Sequence, residues 1–231
     1  MQRRKFTSGV VSAGGLWALA AWLPAHAEGI TESDAALGVR AALERGAASA
    51  VALLGKNGGF LDNPKVRIPL PGFLNEAAKV LKYTGQQQRI DELVTAMNRA
   101  AEAAVPQAKA LLVNAVKAMS VDDGKQILTG GDNAVTNFFA GKTRAPLSVT
   151  FLPIVTRATE KVALADKYNA VAGKAAGLGL LKKDDANIQL YVTGKALDGL
   201  YLMIGEEERK IRRDPIGTGS AILQKVFGSL K

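Results

Sequence analysis

The longest run of apolar residues at a single helical period lies between Ala186 and Pro215. Leu190, Gly194, Leu197, Tyr201 and Ile204 recur at steps of three or four, and Ile188, Val192, Leu200 and Met203 widen that stripe. A helix apolar round so much of its circumference must be covered by other elements. Its last turns change character. Glu206 precedes Lys210 and Glu208 precedes Arg212 at i,i+4, while Arg212 and Arg213 fall where the negative end of the helix dipole favours cations. Asp214-Pro215 then stops the helix. The pattern predicts a central helix over about 186–213 that enters the core at Ile188 and leaves it at Glu206, with the rest of the chain packed around it.

The same period marks the remaining elements. Thr31 or Ser33 caps a predicted helix whose stripe runs Leu37, Val39, Leu43, Ala47, Val51 and Leu54, closed by Gly55. Phe73 to Thr84 forms a short helix closed by Gly85. Ile90, Leu93, Val94, Met97, Ala101 and Val105 share the face of a longer helix, which Pro106 either kinks or divides in two; Ala110, Val113, Val116 and Met119 resume the pattern. Ser120 caps a brief helix through Leu128, Gly130-Gly131 breaks the chain, and Asp132 caps the next helix, NAVTNFFAG. Pro146 then starts another, with Leu147, Phe151, Ile154, Val155 and Val162 inward around Pro153, and Tyr168 to Leu181 is a small-residue helix or pair of turns.

The longest irregular segment runs from Gly55 to Gly72. Its Val66, Ile68 and Leu70 alternate with Lys65, Arg67 and Pro69, which fits an extended strip laid across helices, either a core-covering crossover or a loop that gates a ligand. No hairpin, βαβ pattern or fixed-period repeat is visible. The fold class is all-α: a single irregular multi-helix domain packed around the long C-terminal helix.

Composition changes this picture first at the N-terminus. Residues 1–27 have a basic start, a short apolar middle interrupted by Gly9, Gly14 and Gly15, and an A-x-A ending at Ala25-His26-Ala27. That is the build of a cleaved export signal, and Arg3-Arg4 followed by Phe6 resembles a twin-arginine leader, with general secretion as the alternative route. Cleavage after Ala27 and a periplasmic location are expected, leaving 28–231 as the domain. The leader carries the chain's one histidine, His26, and there is no cysteine. Ser-His and Cys-His nucleophiles, thiol chemistry, Fe–S clusters and the usual zinc and copper sites are thereby excluded. No cofactor or metal is expected, although oxygen-ligated calcium or magnesium remains possible in principle.

Loss of Arg3, Arg4 and Lys5 with the leader lowers the net charge from +9 to +6, and Arg209 to Lys231 holds six bases against one acid, Asp214. Within that end, Ile222, Leu223, Val226, Phe227 and Leu230 form the apolar stripe of a basic amphipathic helix over 216–231. It either docks on its own domain or attaches to anionic lipid or a partner protein, with Arg209, Arg212, Arg213 and Phe227 as the contact residues.

Two polar groups are candidate ligand sites. Asn98, Arg99 and Glu102 lie within one turn of each other in an otherwise apolar helix, as a ligand-orienting cluster or as a network that fixes helix register. Thr129-Gly130-Gly131-Asp132 precedes a helix and offers N–H groups to an anion, but a carboxylate at Asp132 competes for the same donors and favours a tight turn. Carboxylates for a hydrolase would come from Glu76, Glu102, Glu160, Asp198 and Glu206. The tyrosines show no aromatic and basic interleaving, so nucleic acid is not an expected partner.

Several stretches together carry a family resemblance: GFLDNPKVRIPLP (59–71), MNRAAEAAVP (97–106), ILTGGD (127–132), FLPIV (151–155) with Thr159-Glu160-Lys161-Val162, and ALDGLYLMIGEEERKIR (196–212). In order and over nearly all of the mature chain they resemble the bacterial exported family known as domain of unknown function 4197. The resemblance implies a single all-helical exported domain and brings with it no activity, substrate or catalytic residue. The functional expectation is a non-catalytic binding or interaction domain for an apolar or anionic envelope ligand or partner. The alternative is a cell-wall hydrolase or lytic enzyme that works with carboxylates alone.

Overall fold

A computed structural model describes residues 32–72, 87–131, 133–179, 181–182 and 185–214, with single positions 74, 78, 83, 85 and 217. The expected leader 1–27, the C-terminal helix beyond Gly217 with Phe227, and Glu76 and Asp132 lie outside the described residues. The elements are α1 (Glu32–Leu54), α2 (Gln87–Ala104), a 3-10 turn (Val105–Gln107), α3 (Ala108–Lys117), α4 (Val121–Thr129), α5 (Ala134–Thr159), α6 (Ala163–Gly177) and α7 (Ile188–Arg213). There is no strand among the described residues.

The central helix is α7, packed chiefly on α5 and α1 and also on α2. Asn187 caps it, its side chain accepting the Leu190 N–H at 2.9 Å, and Asn169 of α6 accepts the Ile188 N–H at 2.8 Å. Two of the first turn's otherwise orphaned donors are thus satisfied. Ile188, Val192, Leu197, Leu200, Tyr201, Met203 and Ile204 are buried, while Leu190 and Gly194 sit half-buried at the stripe's edge. The helix does not leave the core at Glu206. Glu208 and Ile211 are still buried, because Ala42 and Gly46 of α1 and Val135 of α5 close over its last turns.

In α1, Val39, Leu43, Ala47, Val51 and Leu54 face the core, but Leu37 is 50% exposed. Residues two apart on a helix point to nearly opposite sides, so Leu37 and Val39 cannot share one stripe. Pro106 separates two helices through the 3-10 turn. Beyond it the inner face of α3 is Ala108, Leu112 and Val116, and Ala110 points outward. Ser120 starts α4 with a reciprocal cap: its Oγ accepts the Asp123 N–H and the Asp123 carboxylate accepts the Ser120 N–H, both at 3.0 Å.

The largest departure from the sequence expectation is α5. It runs unbroken for 26 residues through both prolines and does not restart at Pro146. Its buried residues, Val135, Phe139, Thr143, Leu147, Phe151, Val155 and Thr159, recur every four positions along the side that meets α7. Pro146 and Pro153 are seven positions apart, hence on one face, and both are exposed. The carbonyls that lose a donor to each proline lie toward that outer face, where water can reach them. Val162, expected inside this helix, falls in the break before α6.

Candidate functional site

Residues 55–72 form a strap that crosses α2 and α7. Phe60, Val66 and Ile68 are buried beneath it while Lys65, Arg67 and Pro69 face solvent, as the alternation predicts. The polar set of α2 lies directly under this strap. Glu102 Oε1 accepts the N–H groups of Phe60 and Leu61, each at 3.0 Å, and its Oε2 receives Arg99 Nη1 at 2.6 Å. Asn98 Oδ1 accepts the Ile68 N–H at 2.8 Å, and its Nδ2 donates to the Ile68 carbonyl at 2.9 Å and to the Val94 carbonyl at 2.8 Å. A strap of irregular backbone has no ladder to pair its amides, and these two side chains serve as one.

Glu102 is 5% exposed. Burial alone pushes its carboxyl up, but the hydrogen bonds from Leu61 N–H, Arg99 and Phe60 N–H together outweigh that, and it titrates below its ordinary value. The outer edge of the strap is pinned by Tyr191 Oη donating to the Pro69 carbonyl at 3.2 Å and by Lys65 Nζ on Glu206 Oε2 at 2.7 Å.

A second polar centre occupies the end of α7. Arg212 Nη2 donates to Glu208 Oε1 at 2.9 Å and to the Ile127 carbonyl at 2.8 Å, and the same Glu208 oxygen accepts the Val135 N–H at 3.4 Å. This pair bridges the end of α4, where Thr129 is the last residue, and the start of α5. Arg209 binds Glu206 Oε1 at 2.9 Å and reaches Asn133 Oδ1 at 3.5 Å. Thr129 Oγ donates back to the Lys125 carbonyl at 2.9 Å. Arg209 and Arg212 therefore point into the fold, and Arg213 is the exposed member of the three. Lys210 pairs with Glu207 at 2.5 Å and not with Glu206, whose oxygens already hold Lys65 and Arg209.

Glu208 has one oxygen, Oε2, that is buried without a partner, beside a small recess of about 10 Å³ lined by Ala42, Gly46, Val135, Ile204 and Ile211. Burial raises its carboxyl above the ordinary value despite the opposing hydrogen bond from Arg212. Glu206 behaves in the opposite way, drawn down to about 2 by hydrogen bonds from Lys65 and Arg209. Asp198 is held by Arg144 at 2.5 Å and by Lys195 at 3.8 Å. Around the last turn of α7 an open cleft of about 400 Å³ is bounded by Arg45, Glu207, Lys210, Ile211, Arg213 and Asp214.

The two expected ligand clusters are not brought together: one lies under the strap, the other at the α4–α5 turn. The sequence shows the polar set on α2 but not that its partners are backbone groups 30 to 42 positions earlier. A mid-helix glycine, Gly199, is the signal that was there to be used: the Phe60 ring occupies the space beside it. Among the described residues no group of three or more His, Cys, Asp or Glu is placed to hold a metal, and no helix is long and apolar enough to cross a membrane.

A family model described as "Protein of unknown function (DUF4197)" matches residues 29–228. No curated protein and no solved structure matches the chain.

Proposed function

The chain belongs to the DUF4197 family, and from that premise we propose that it is a non-catalytic binding or interaction domain of the cell envelope, exported by its leader, whose ligand or partner is apolar or anionic. The observation that carries this reading is the state of the carboxylates. Glycoside hydrolysis needs one carboxyl held protonated in an open cleft and a second across from it. Here Glu102 is ionised and engaged by the strap, Glu206 is drawn down to about 2 and Asp198 is paired with two bases. Among the described residues the carboxyl with a raised value is Glu208, which is 5% exposed beside a cavity with room for about one water, too small for any sugar. The open cleft around the last turn of α7 sets three bases, Arg45, Lys210 and Arg213, against two acids, Glu207 and Asp214, about Ile211, a modest positive excess that supports an anionic or partly apolar ligand.

The mature chain incubated with purified cell-wall glycan should release no soluble fragment. Mass spectrometry of the protein recovered from the periplasm should show an anionic or lipidic companion. Glycan fragments released at a rate that falls on Glu208→Gln would reverse the reading in favour of the hydrolase. Export belongs to the same proposal: N-terminal sequencing of periplasmic material should begin at Glu28, and Arg3→Lys/Arg4→Lys should block a twin-arginine leader but not a general-secretion one.

A further inference from the structure

Among the described residues α6 has the lightest packing of the helices, resting on α2 and α7 through Ala165, Tyr168, Ala172 and Ala175. Its outer face is unlike the others. Lys167, Val171, Lys174 and Leu178 follow one another at steps of four, three and four, so cationic and apolar side chains alternate along one line, while Leu164, one turn earlier, is half-buried against the core. Val171 is 57% exposed and Leu178 77% exposed. Lys167, Lys174 and, just beyond the helix, Lys182 are exposed and make no ion pair among the described residues. That contrasts with Arg209, Lys210 and Arg212 of α7, each of which is paired. Asp166, the acid of α6, lies about 140° round the helix from Val171. Glu92 faces the N-terminal end of the line across a recess of about 210 Å³ shared with Arg89 and Lys167, and beyond the C-terminal end Asp185 shares a turn with Lys182, its N–H donating to the Lys182 carbonyl at 3.0 Å.

We propose that this face of α6 is a peripheral docking surface for a bilayer rich in anionic lipid. The inference rests on the interaction-domain reading and gives it a surface and a partner. Exposed leucine and valine are unfavourable in water, whereas the lysine ammonium groups beside them are well hydrated there and gain Coulomb attraction at an anionic surface. Both are satisfied together at a lipid interface, where the apolar side chains sit below the headgroups and the lysine stems carry their charges up to the phosphates. From Lys167 to Leu178 the line is about 16 Å long and parallel to the helix axis, so the helix lies in the plane of the surface. Ala170 and Gly177 flank it and add little bulk. The line carries no Trp or Phe, which makes the attachment reversible and dependent on salt.

The test is cosedimentation of the mature chain with vesicles of phosphatidylglycerol and phosphatidylcholine against phosphatidylcholine alone, at low salt. Binding is expected only to the anionic vesicles, and about 0.5 M salt should abolish it. Lys167→Glu/Lys174→Glu should weaken partition by about tenfold or more, and Leu178→Ser should weaken it with no change of charge. Thermal melting checks that both variants, altered only at exposed positions, remain folded. Unchanged binding in the double variant overturns the proposal. So does a wild-type chain that ignores anionic vesicles at low salt, including one held instead by an acidic protein through the same lysines. Release of glycan fragments by the wild type would overturn the non-catalytic reading and leave the vesicle result standing, so the two failures are distinct.

Discussion

Phe60 fills the notch that Gly199 leaves in the central helix: a Cβ at position 199 would lie 2.7 Å from Phe60 Cε1 and 3.3 Å from Val66 Cβ. The strap and α7 therefore approach more closely than any side-chain-bearing residue at 199 would permit. Phe60 is also the residue whose N–H is held by Glu102, so one turn of the strap is fixed from two sides, by packing on α7 and by hydrogen bonding to α2.

Gly199→Ala should destabilise the protein by about 1–3 kcal/mol, because the added methyl must displace an aromatic ring in a closed core. Gly194, one and a half turns earlier on the same helix, has open space where its Cβ would be. There alanine should stabilise by about 0.5–1 kcal/mol through helix propensity alone. Urea denaturation of the two variants checks the contrast, and equal effects at both positions would contradict the notch.

Glu102 and Glu208 should give opposite pH signatures. Hydrogen bonds hold the Glu102 carboxyl below its unfolded value, so its contribution is present above that value and is lost as pH falls through the folded one. Burial holds Glu208 above its unfolded value, so its contribution is present below that value and is lost as pH rises through the folded one. Relative to wild type, Glu102→Gln should therefore recover stability on acidification, and Glu208→Gln should gain it as pH rises above the ordinary carboxylate range. Urea midpoints across that range decide the matter; curves that move in the same direction would refute the assignment.

Arg212 is 16% exposed at its side chain and Glu208 4%. Arg212→Met alone should cost about 3–5 kcal/mol, because it leaves a buried carboxylate uncompensated and the Ile127 carbonyl without this donor. Glu208→Leu/Arg212→Met should recover about half of that loss or more, since a packed apolar pair removes the uncompensated charge. Calorimetry of the single and double variants measures it, and a double variant no better than the single one would contradict the account.

The periodicity of α7 was legible because its stripe is wide and continuous, and the cap at Ser120 because Asp123 completes a local motif. Local signals failed where tertiary context decides. Pro146 is an ordinary helix start, and only the exposure of its face in the folded protein lets α5 continue through it. Glu206 has a base at i+4, yet Lys65 from the strap and Arg209 take its two oxygens. The polar set of α2 was visible, but the residues that would say whether it faces a ligand or the chain itself lie in a segment with no helical period to place them.

The central claim is that Asn98 and Glu102 are engaged in holding the strap and are not open to a ligand. Native-state hydrogen exchange at the amides of Phe60, Leu61 and Ile68 tests it most directly. In the wild type all three should be protected like core helix amides, although they lie in irregular backbone. Glu102→Ala should strip protection from Phe60 and Leu61 and cost about 2–4 kcal/mol, leaving Ile68 the better protected through Asn98. If the wild-type amides already exchange as fast as those of an exposed loop, the two side chains are not holding the strap, and the account is wrong.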